Sequence, residues 1–415
     1  MEEWKECTIG DVCNTISDTY RGNAKDVVLI NTSDVLEGKC LNHQKTPNKN
    51  LKGQFKKTFQ QGDILYSEIR PANKRYAYVN FAPKDYIAST KLMVIRHNDK
   101  ITPQYLFYIL TNDVIIRELQ MIAESRSGTF PQVTFSELAN FSISLPSISQ
   151  QKEIVAVLKS FDSKIDLNRR INDNLEQQAQ ALFKSWFVDF EPFLREEFFK
   201  SDSLFGDIPV EWHIVAIKDL SVYITDYVAN GSFASLRENV RLYDNPNYAH
   251  FIRNTDLKAE SYKMYVDKHS YEFLSKSVLE GGEIIISNVG DVGSVFLCPK
   301  LEKPMTLGNN IILLRPKKDY LTFYLYMLFK GGIGQHLIDG VTGGSAQRKF
   351  NKTDFKSIKL MMPPVNILIK FDRIVKPIFS KIEENRDEIS RLTSLRDTLL
   401  PKLMSGELKI NDINN

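Results

Sequence analysis

Two long stretches of the chain carry apolar residues at alternating spacings of four and three positions. The first stretch runs from Ile154 to Trp186 and the second from Phe371 to Leu403. This spacing lines up the side chains along one narrow stripe of an α-helix, the seam through which coiled-coil helices pair. We therefore predict two long helices whose seam residues are Ile154, Leu158, Phe161, Ile165, Asn168, Leu175, Leu182, Phe371, Val375, Ile378, Ile382, Asn385, Leu392 and Leu399.

The two stripes are similar enough to predict that the helices pair with each other. Asn168 and Asn385 occupy the same seam position, and a polar seam residue sets register and partner at some cost in stability. Arg396 stands where the first stripe has Ala179, which predicts a looser seam there or an arginine that reaches solvent. The alternative is that each helix packs only on its own globular domain.

The rest of the chain is also written twice, which is typical of a duplicated unit. Residues 61–67 (QGDILYS) return as residues 281–287 (GGEIIIS), and residues 91–96 (KLMVIR) return as residues 311–315 (IILLR). Gly128 and Gln132 match Gly343 and Gln347, and the two helical stretches match at an offset of 217 positions. We predict two copies of a unit of about 200 residues, each a globular part followed by a helix.

The globular parts consist of short β-branched and aromatic runs separated by turn residues, with a few helical segments. This pattern predicts an α+β fold: two globular α/β domains separated by two long helices that form an antiparallel coiled coil, with internal pseudo-twofold repetition. An aromatic segment at 186–193 follows the first helix, and we expect it to pack at the junction with the next domain or against a partner. The predicted boundaries are 1–148, 149–200, 205–363 and 364–406, with a tail at 407–415.

Composition narrows the class of protein. An apolar content of 42% with 25% charged residues is typical of a globular protein. We find no signal-peptide pattern and no run of about 20 apolar residues, so we expect a cytoplasmic protein without a membrane partner. The four cysteines and six histidines show no metal-ligand spacing, and we predict no metal site.

One segment resembles a catalytic motif. Residues 244–248 (DNPNY) are similar to the Asp/Asn-Pro-Pro-Tyr loop of DNA amino-methyltransferases, but Asn247 replaces the second proline. No glycine-rich strand–turn–helix for S-adenosylmethionine accompanies the segment, and residues 331–334 (GGIG) fit a helix end better. We interpret DNPNY as a turn. A DNA amino-methyltransferase and a coiled-coil scaffold that binds only protein remain alternative functions for this chain.

The order of these features resembles the specificity subunit of type I DNA restriction–modification enzymes. The matching text is residues 182–190 (LFKSWFVDF) and 399–407 (LLPKLMSGE), the two proline–helix junctions and the Gly…Gln turns. The resemblance implies two target recognition domains, each for one half of a bipartite double-stranded DNA site, and a coiled coil that sets the spacer between them. It also implies a chain without catalytic residues or cofactor. Such a chain docks two methyltransferase subunits, which use S-adenosylmethionine, and in the full complex two restriction subunits.

Candidate DNA contacts follow from side-chain chemistry. Arginine and lysine suit phosphates and guanine, whereas asparagine and glutamine suit adenine. Eight basic residues but only two acidic ones lie between Lys45 and Arg75. The predicted contacts are Lys56, Lys57, Arg70, Lys74, Arg75, Arg126, Thr129 and Gln132 in the first domain, and Asn288, Ser294, Asn309, Asn310, Ser345, Gln347, Arg348 and Lys349 in the second.

Overall fold

The computed structural model describes residues 4–49, 53–125, 132–200, 204–344 and 347–409. The chain forms two compact units: unit 1 comprises residues 1–167 and 388–415, and unit 2 comprises residues 168–387. The helices are α1 (Pro103–Leu110), α2 (Asp113–Ser125), α3 (Phe135–Ala139), α4 (Ile148–Phe187), α5 (Phe233–Asn239), α6 (Asn254–Ala259), α7 (Lys268–Phe273), α8 (Thr322–Lys330), α9 (Gly332–Gly340), α10 (Lys352–Ser357) and α11 (Val365–Ser405).

The two long helices α4 and α11 lie where the apolar stripes predict them. They begin within a residue of the predicted boundaries at 149 and 364, two residues after Pro146 and directly after Pro364. Each helix is divided between the units near its midpoint, so each unit contains one half of α4 and one half of α11. Each compact unit therefore combines a globular part with the adjoining halves of both long helices.

The described residues of unit 1 form two four-stranded sheets and two two-stranded ones. The orders of the larger sheets are β6-β3-β10-β7 and β2-β11-β8-β9, and β3 and β10 are parallel. The strands are β1 (Lys5–Thr8), β2 (Cys13–Ile16), β3 (Asp26–Ile30), β4 (Val35–Leu36), β5 (Lys39–Cys40), β6 (Lys45–Pro47), β7 (Phe55–Lys57), β8 (Ile64–Ser67), β9 (Tyr76–Tyr78), β10 (Tyr86–Ser89), β11 (Leu92–His97) and β12 (Ser142–Leu145).

Unit 2 repeats this order with small changes. Its central sheet is β16-β24-β21-β22, and its outer sheet, β17-β19-β18-β23-β20, again has one parallel pair, β18 and β23. The strands are β13 (Phe198–Phe199), β14 (Ile208–Pro209), β15 (His213–Ala216), β16 (Val222–Asp226), β17 (Leu242–Tyr243), β18 (Ala249–Ile252), β19 (Tyr265–Val266), β20 (Val278–Leu279), β21 (Ile284–Ser287), β22 (Val295–Leu297), β23 (Met305–Leu307), β24 (Ile311–Pro316) and β25 (Lys359–Met362).

The central strands are buried on both faces, which explains their continuous apolar sequence. In β8, Ile64 and Tyr66 face the core formed with the helices, whereas Leu65 faces the core under the outer sheet. In β21, Ile284 and Ile286 face the helical core and Ile285 faces the other.

A buried carboxylate pins the start of each central strand in the same way. Asp63 is 1% exposed and accepts two hydrogen bonds, at 2.8 and 2.7 Å, from the guanidinium of Arg96. In unit 2, Glu283 accepts one at 2.7 Å from Arg315. These residues come from the repeated QGDILYS/GGEIIIS and KLMVIR/IILLR segments, so the duplication preserves the pair as well as the strands.

The halves of α4 and α11 run antiparallel within each unit. In unit 1, Asp162 contacts Arg396 and Lys164 lies 3.7 Å from Glu388. In unit 2, the Asn385 amide donates to Asn172 Oδ1 at 2.8 Å. The predicted helix pairing is therefore present in both units.

The predicted seam residues differ in burial. Ile154, Leu158, Ile165, Asn168, Phe371, Val375, Ile382 and Asn385 are buried, whereas Phe161, Leu175, Leu182, Ile378, Leu392 and Leu399 are partly exposed. Many of them also join the cores of their globular domains: Leu158 and Leu403 belong to the unit 1 helical core, and Phe371 and Val375 to that of unit 2. Helix pairing and packing on the domain, treated as alternatives above, therefore occur together.

The segment after α4 packs at the junction with the second domain, as one of the two expectations had it. The Trp212 ring lies 5.8 Å from that of Phe187 and 5.3 Å from those of Phe190 and Phe193, measured between centroids. Trp212 precedes β15, so these rings join the end of α4 to the start of the second globular domain.

Candidate nucleic-acid interface

In unit 1, four of the predicted DNA contacts, Arg70, Lys74, Arg75 and Gln132, come together at the loop that follows the central strand β8. The Ser67 amide donates to the Arg75 carbonyl at 2.8 Å and closes this loop. The Glu68 carbonyl accepts from the Val133 amide at 2.8 Å, and Ile69 forms a β-bridge with Gln132. The fold thus joins the loop that carries Arg70, Lys74 and Arg75 to the predicted Gly…Gln segment.

The backbone of this loop has an unusual conformation. Arg70 and Lys74 adopt left-handed φ angles of 47° and 51°, on either side of a short 3-10 turn at Pro71–Asn73. Left-handed non-glycine residues are costly and persist where surrounding structure holds them. Pro71 is buried and the Ala72 amide donates to Gln120 at 3.0 Å, which supplies that hold. The loop presents the exposed side chain of Arg70 from this left-handed backbone.

The other basic candidates in unit 1 differ in what they contact. Lys57 donates to the Thr90 and Leu92 carbonyls at 3.1 and 2.8 Å, and burial lowers its pKa. Lys74 pairs with Asp113 at 3.1 Å, and Arg75 donates to the Ser33 carbonyl. Lys56 is exposed, as Arg70 is. Arg126 and Thr129 lie outside the described residues, and Gln132 is partly exposed with its side-chain oxygen 3.4 Å from Lys91 Nζ.

Unit 2 builds the same arrangement after its central strand β21. The Ser287 amide donates to the Ser294 carbonyl at 2.9 Å and closes the 288–294 loop. The Phe350 amide donates to the Asn288 carbonyl at 3.1 Å, and Val289 forms a β-bridge with Lys349. Asn288, Ser294 and Lys349 are thereby brought together.

The remaining candidates of unit 2 surround this loop. The Asn310 carbonyl accepts from the Asn288 amide at 3.1 Å, and Asn310 has a left-handed φ of 63°. Asn309, Asn310, Gln347, Arg348 and Lys349 are exposed, and Arg348 pairs with Asp339. Ser345 lies outside the described residues.

The hydrogen bonds correct the sequence match of the two Gly…Gln turns. Gln132 bridges Ile69 as Lys349 bridges Val289, and Val133 donates as Phe350 does. Lys349 is therefore the structural counterpart of Gln132, at the same offset of 217 as the helices. The match of Gln132 to Gln347 was wrong by two positions, because it was made by aligning Gly128 with Gly343.

Sequence reasoning missed a polar cluster beside the unit 2 loop. Asp291 accepts hydrogen bonds from Lys258 and Ser294, both at 2.6 Å, and from Asn254 at 3.2 Å. Hydrogen bonds from Lys258 and Ser294 lower the pKa of Asp291 to about 2. Gln335 donates to the Gly293 carbonyl at 2.8 Å. The two flanking glycines, Gly290 and Gly293, were the available signal for an exposed, tightly turned loop.

The remaining candidate chemistries find little support. Residues 244–248 form the connection between β17 and β18, in keeping with their interpretation as a turn. Within the described parts of the chain, no cluster of histidine, cysteine or acidic residues could hold a metal ion. Among the helices in those same parts, none has the length and apolar character required to cross a membrane.

Comparison with known proteins gives consistent matches along the chain. The family profile described as the type I restriction modification DNA specificity domain matches residues 1–177 and again residues 209–393. The specificity subunit of the HindI type I restriction enzyme of Haemophilus influenzae is 33% identical, over 98% of this chain and 100% of that protein. The MjaIX specificity subunit of Methanocaldococcus jannaschii is 27% identical, over 86% and 79%. The crystal structure of the HsdS subunit from Thermoanaerobacter tengcongensis is 20% identical, with 98% of each chain covered and a TM-score of 0.41.

Proposed function

Because this chain belongs to the type I restriction-modification DNA specificity family, we propose that each of its two units recognises one half of a bipartite DNA target. The chain is a DNA-recognition subunit of a type I restriction–modification system and is not itself an enzyme. The proposal assigns one half of the DNA target to each unit. One observation carries it: both units join the loop after the central strand to a second loop by the same bridge, at Ile69–Gln132 and at Val289–Lys349.

The two loops offer different chemistry. The unit 1 loop carries cations, with an exposed Arg70 in a left-handed backbone conformation. The unit 2 loop carries Ser294 and Asp291, next to the exposed Asn310 and Lys349, while the Asn288 side-chain amide donates to the Phe350 carbonyl at 3.3 Å. Arginine suits guanine and phosphates, whereas asparagine suits adenine and a carboxylate accepts from the amino group of cytosine. We therefore propose that the loops recognise different half-site sequences, with the other predicted contacts supporting them on the DNA backbone.

The long helices fit the role of a spacer. The 40 residues of α4 extend for about 60 Å at about 1.5 Å per residue. Half-sites one turn apart on B-DNA are separated by about 34 Å. A helix pair of this length is long enough to set the separation between two half-sites.

The chemistry of modification belongs to partners. We propose that the chain docks two methyltransferase subunits, which bind S-adenosylmethionine, and that two restriction subunits join the full complex in the cytoplasm. The repeated element order supports two similar docking surfaces, since a duplicated unit presents a similar surface twice.

Mapping methylated bases in cellular DNA tests this proposal. DNA from cells that express the chain with a methyltransferase subunit of its system is compared with DNA from cells that express the methyltransferase alone. The proposal predicts methylation at one bipartite motif with an unspecified spacer, present only when the chain is expressed. Methylation at a single continuous motif, or methylation independent of the chain, contradicts it.

Binding to the mapped duplex distinguishes the scaffold alternative. DNA recognition predicts affinity that falls steeply with salt because phosphate contacts release counterions. A complex whose methyltransferase associates with the chain but which shows no preference for the mapped duplex would favour the protein-only scaffold.

A further inference from the structure

In unit 1, a tyrosine and a carboxylate connect the globular domain to the helix pair. The Tyr108 hydroxyl on α1 donates to Asp162 Oδ2 on α4 at 2.6 Å. The other carboxylate oxygen, Oδ1, accepts from Arg396 on α11 at 2.7 Å. Tyr108 is 8% exposed, and the Asp162 and Arg396 side chains are about one-third exposed or less. A single carboxylate thus ties three helices together: one from the domain and both long ones.

A second polar contact lies on the same face of α4. Gln151 is fully buried, accepts from the Thr102 amide at 2.8 Å and donates to the Lys100 carbonyl at 3.1 Å. Gln151 and Asp162 are 11 residues apart, about three helical turns, so their side chains project in nearly the same direction. Two directional contacts separated by about 16 Å along one helix fix the angle of the domain on that helix.

Unit 2 places a similar cluster at its own junction. The Tyr326 hydroxyl on α8 donates to Glu176 Oε1 on α4 at 2.5 Å, and Lys330 pairs with the same oxygen. Burial tends to raise the pKa of Glu176, but the hydrogen bonds from Lys330 and Tyr326 outweigh it and lower that pKa. Tyr326 is 4% exposed. Again a domain tyrosine and a cation meet one carboxylate of a long helix.

Apolar surfaces can hold a globular domain on a long helix without such polar clusters. Replacing a buried ion pair by apolar residues of similar volume is often neutral or stabilising, so its charges are weak evidence for stability. Charge-assisted hydrogen bonds instead add geometric specificity, because they are strong only within a narrow range of distance and angle. The clusters therefore suit orientation better than adhesion.

We propose that Asp162 and Glu176 are positioning residues for DNA recognition. Through Tyr108 and Tyr326 they hold each recognition domain at a fixed angle on the long helices, and the spacer that the protein accepts depends on that angle. Neither residue contacts DNA in this account. The inference rests on the proposed bipartite recognition and assigns its spacer selectivity to named side chains outside the DNA-contact loops.

The test uses the complete complex and the bipartite target mapped by methylation. Affinities are measured for the native duplex and for duplexes whose spacer is one base pair longer or shorter. Spacer discrimination is the ratio of Kd for an altered duplex to Kd for the native one. The variants are Tyr108→Phe, Tyr326→Phe and the double variant. Tyr223→Phe is the matched control, since its hydroxyl donates to the Lys276 carbonyl at 3.0 Å, an acceptor outside both long helices.

We expect the double variant to lose about three- to tenfold in spacer discrimination, while its affinity for each half-site presented alone is unchanged. The control should keep wild-type discrimination. If the double variant and the control discriminate equally, or if the double variant loses only thermal stability, the positioning role is wrong. If the wild-type complex itself accepts all spacers or requires only one half-site, the proposed bipartite function fails instead.

Discussion

The two units share an element order, but the long helix that follows each globular part meets it differently. This helix is α4 in unit 1 and α11 in unit 2. In unit 1, α4 presents Gln151 and Asp162 to the domain, and both accept hydrogen bonds from it. The residues 217 positions further on, on α11 in unit 2, are Leu368 and Phe379. Phe379 stacks on Phe323 with ring centroids 4.5 Å apart, and Leu368 is 1% exposed. Where Gln151 and Asp162 give unit 1 polar contacts, the matched residues of α11 give unit 2 apolar ones.

The difference shows that duplication kept the geometry while the chemistry of the junction changed. Unit 2 recovers a polar contact from the other long helix, because Glu176 on α4 meets Tyr326 and Lys330. The position that pairs with Asp162 in unit 1 is Arg396, and its counterpart in unit 2 is Ala179, fully buried in the apolar core. At these matched positions, unit 1 has a carboxylate paired with an arginine, whereas unit 2 has Phe379 and Ala179, both in its apolar core.

Truncating Phe379, the residue that unit 2 has in place of Asp162, is expected to have the largest effect. Phe379→Ala removes a ring that is 8% exposed and packed on Phe323 and Tyr326. We expect it to cost about 3–5 kcal/mol in the free energy of unfolding of unit 2, because the lost burial leaves a cavity. Urea unfolding of the full chain measures this. Leu395→Ala, at an exposed position of α11, is the control, and equal costs for the two variants would contradict the apolar account.

Removing Arg396, which pairs with Asp162 in unit 1, is expected to have the next largest effect on stability. Arg396→Ala leaves Asp162 with Tyr108 but without its cation, and we expect a loss of about 1–2 kcal/mol, since both charged groups are partly solvated. The double variant Asp162→Phe with Arg396→Ala installs the unit 2 residues in unit 1. We expect it to regain stability relative to Arg396→Ala, because apolar packing can replace an ion pair.

The same double variant also separates stability from positioning. If the polar junction orients the domain, the double variant should unfold at a urea concentration near that of the wild type yet discriminate poorly between spacers. Wild-type discrimination in this stable variant would show that the polar contacts are not needed for orientation.

The Glu176 cluster predicts a smaller, pH-dependent effect in unit 2. The folded pKa of Glu176 is lowered from its ordinary value near 4.5, so its contribution to stability is present above that value and lost as the pH falls through the folded pKa. We expect Glu176→Gln to remove this part of the acid destabilisation, about 1 kcal/mol or less. Unfolding curves at neutral pH and below pH 4.5 measure it, and an identical pH dependence in wild type and variant would exclude the effect.

The smallest effects belong to exposed ion pairs around the two junctions. Lys39 pairs with Asp166 at 2.7 Å in unit 1, and Arg386 pairs with Glu260 at 3.2 Å in unit 2. These side chains are about one-third to one-half exposed, so Lys39→Met and Glu260→Gln should each change stability by about 0–1 kcal/mol. Thermal unfolding at low and high salt checks this, and a large, salt-independent loss would mean that the junctions extend further than described.

The sequence was sufficient to predict the repeat and the two long helices, because each leaves a periodic or duplicated pattern. It was not sufficient to predict the partners of single polar side chains. Arg396 was expected to reach solvent or loosen the seam, but it is 28% exposed and paired with Asp162. That pair joins residues 234 positions apart, a distance at which one chain gives no local signal.

The candidate site shows the same limit. Composition singled out Lys57 and Arg70 equally, since both are cations in one basic segment. Only the fold shows that Lys57 is occupied by two backbone carbonyls whereas Arg70 is presented on a left-handed turn. Asp291 was missed because an acidic residue does not fit a simple search for DNA contacts, although carboxylates can accept from cytosine.

The central claim is that each unit recognises its own half of the target. The most direct measurement is methylation mapping with a chimeric chain in which residues 1–147, up to the start of α4, are replaced by the corresponding domain of another family member. The account predicts that one half-site changes to a new sequence while the other half-site remains as in the wild type. A change in both half-sites, or in neither, would contradict it.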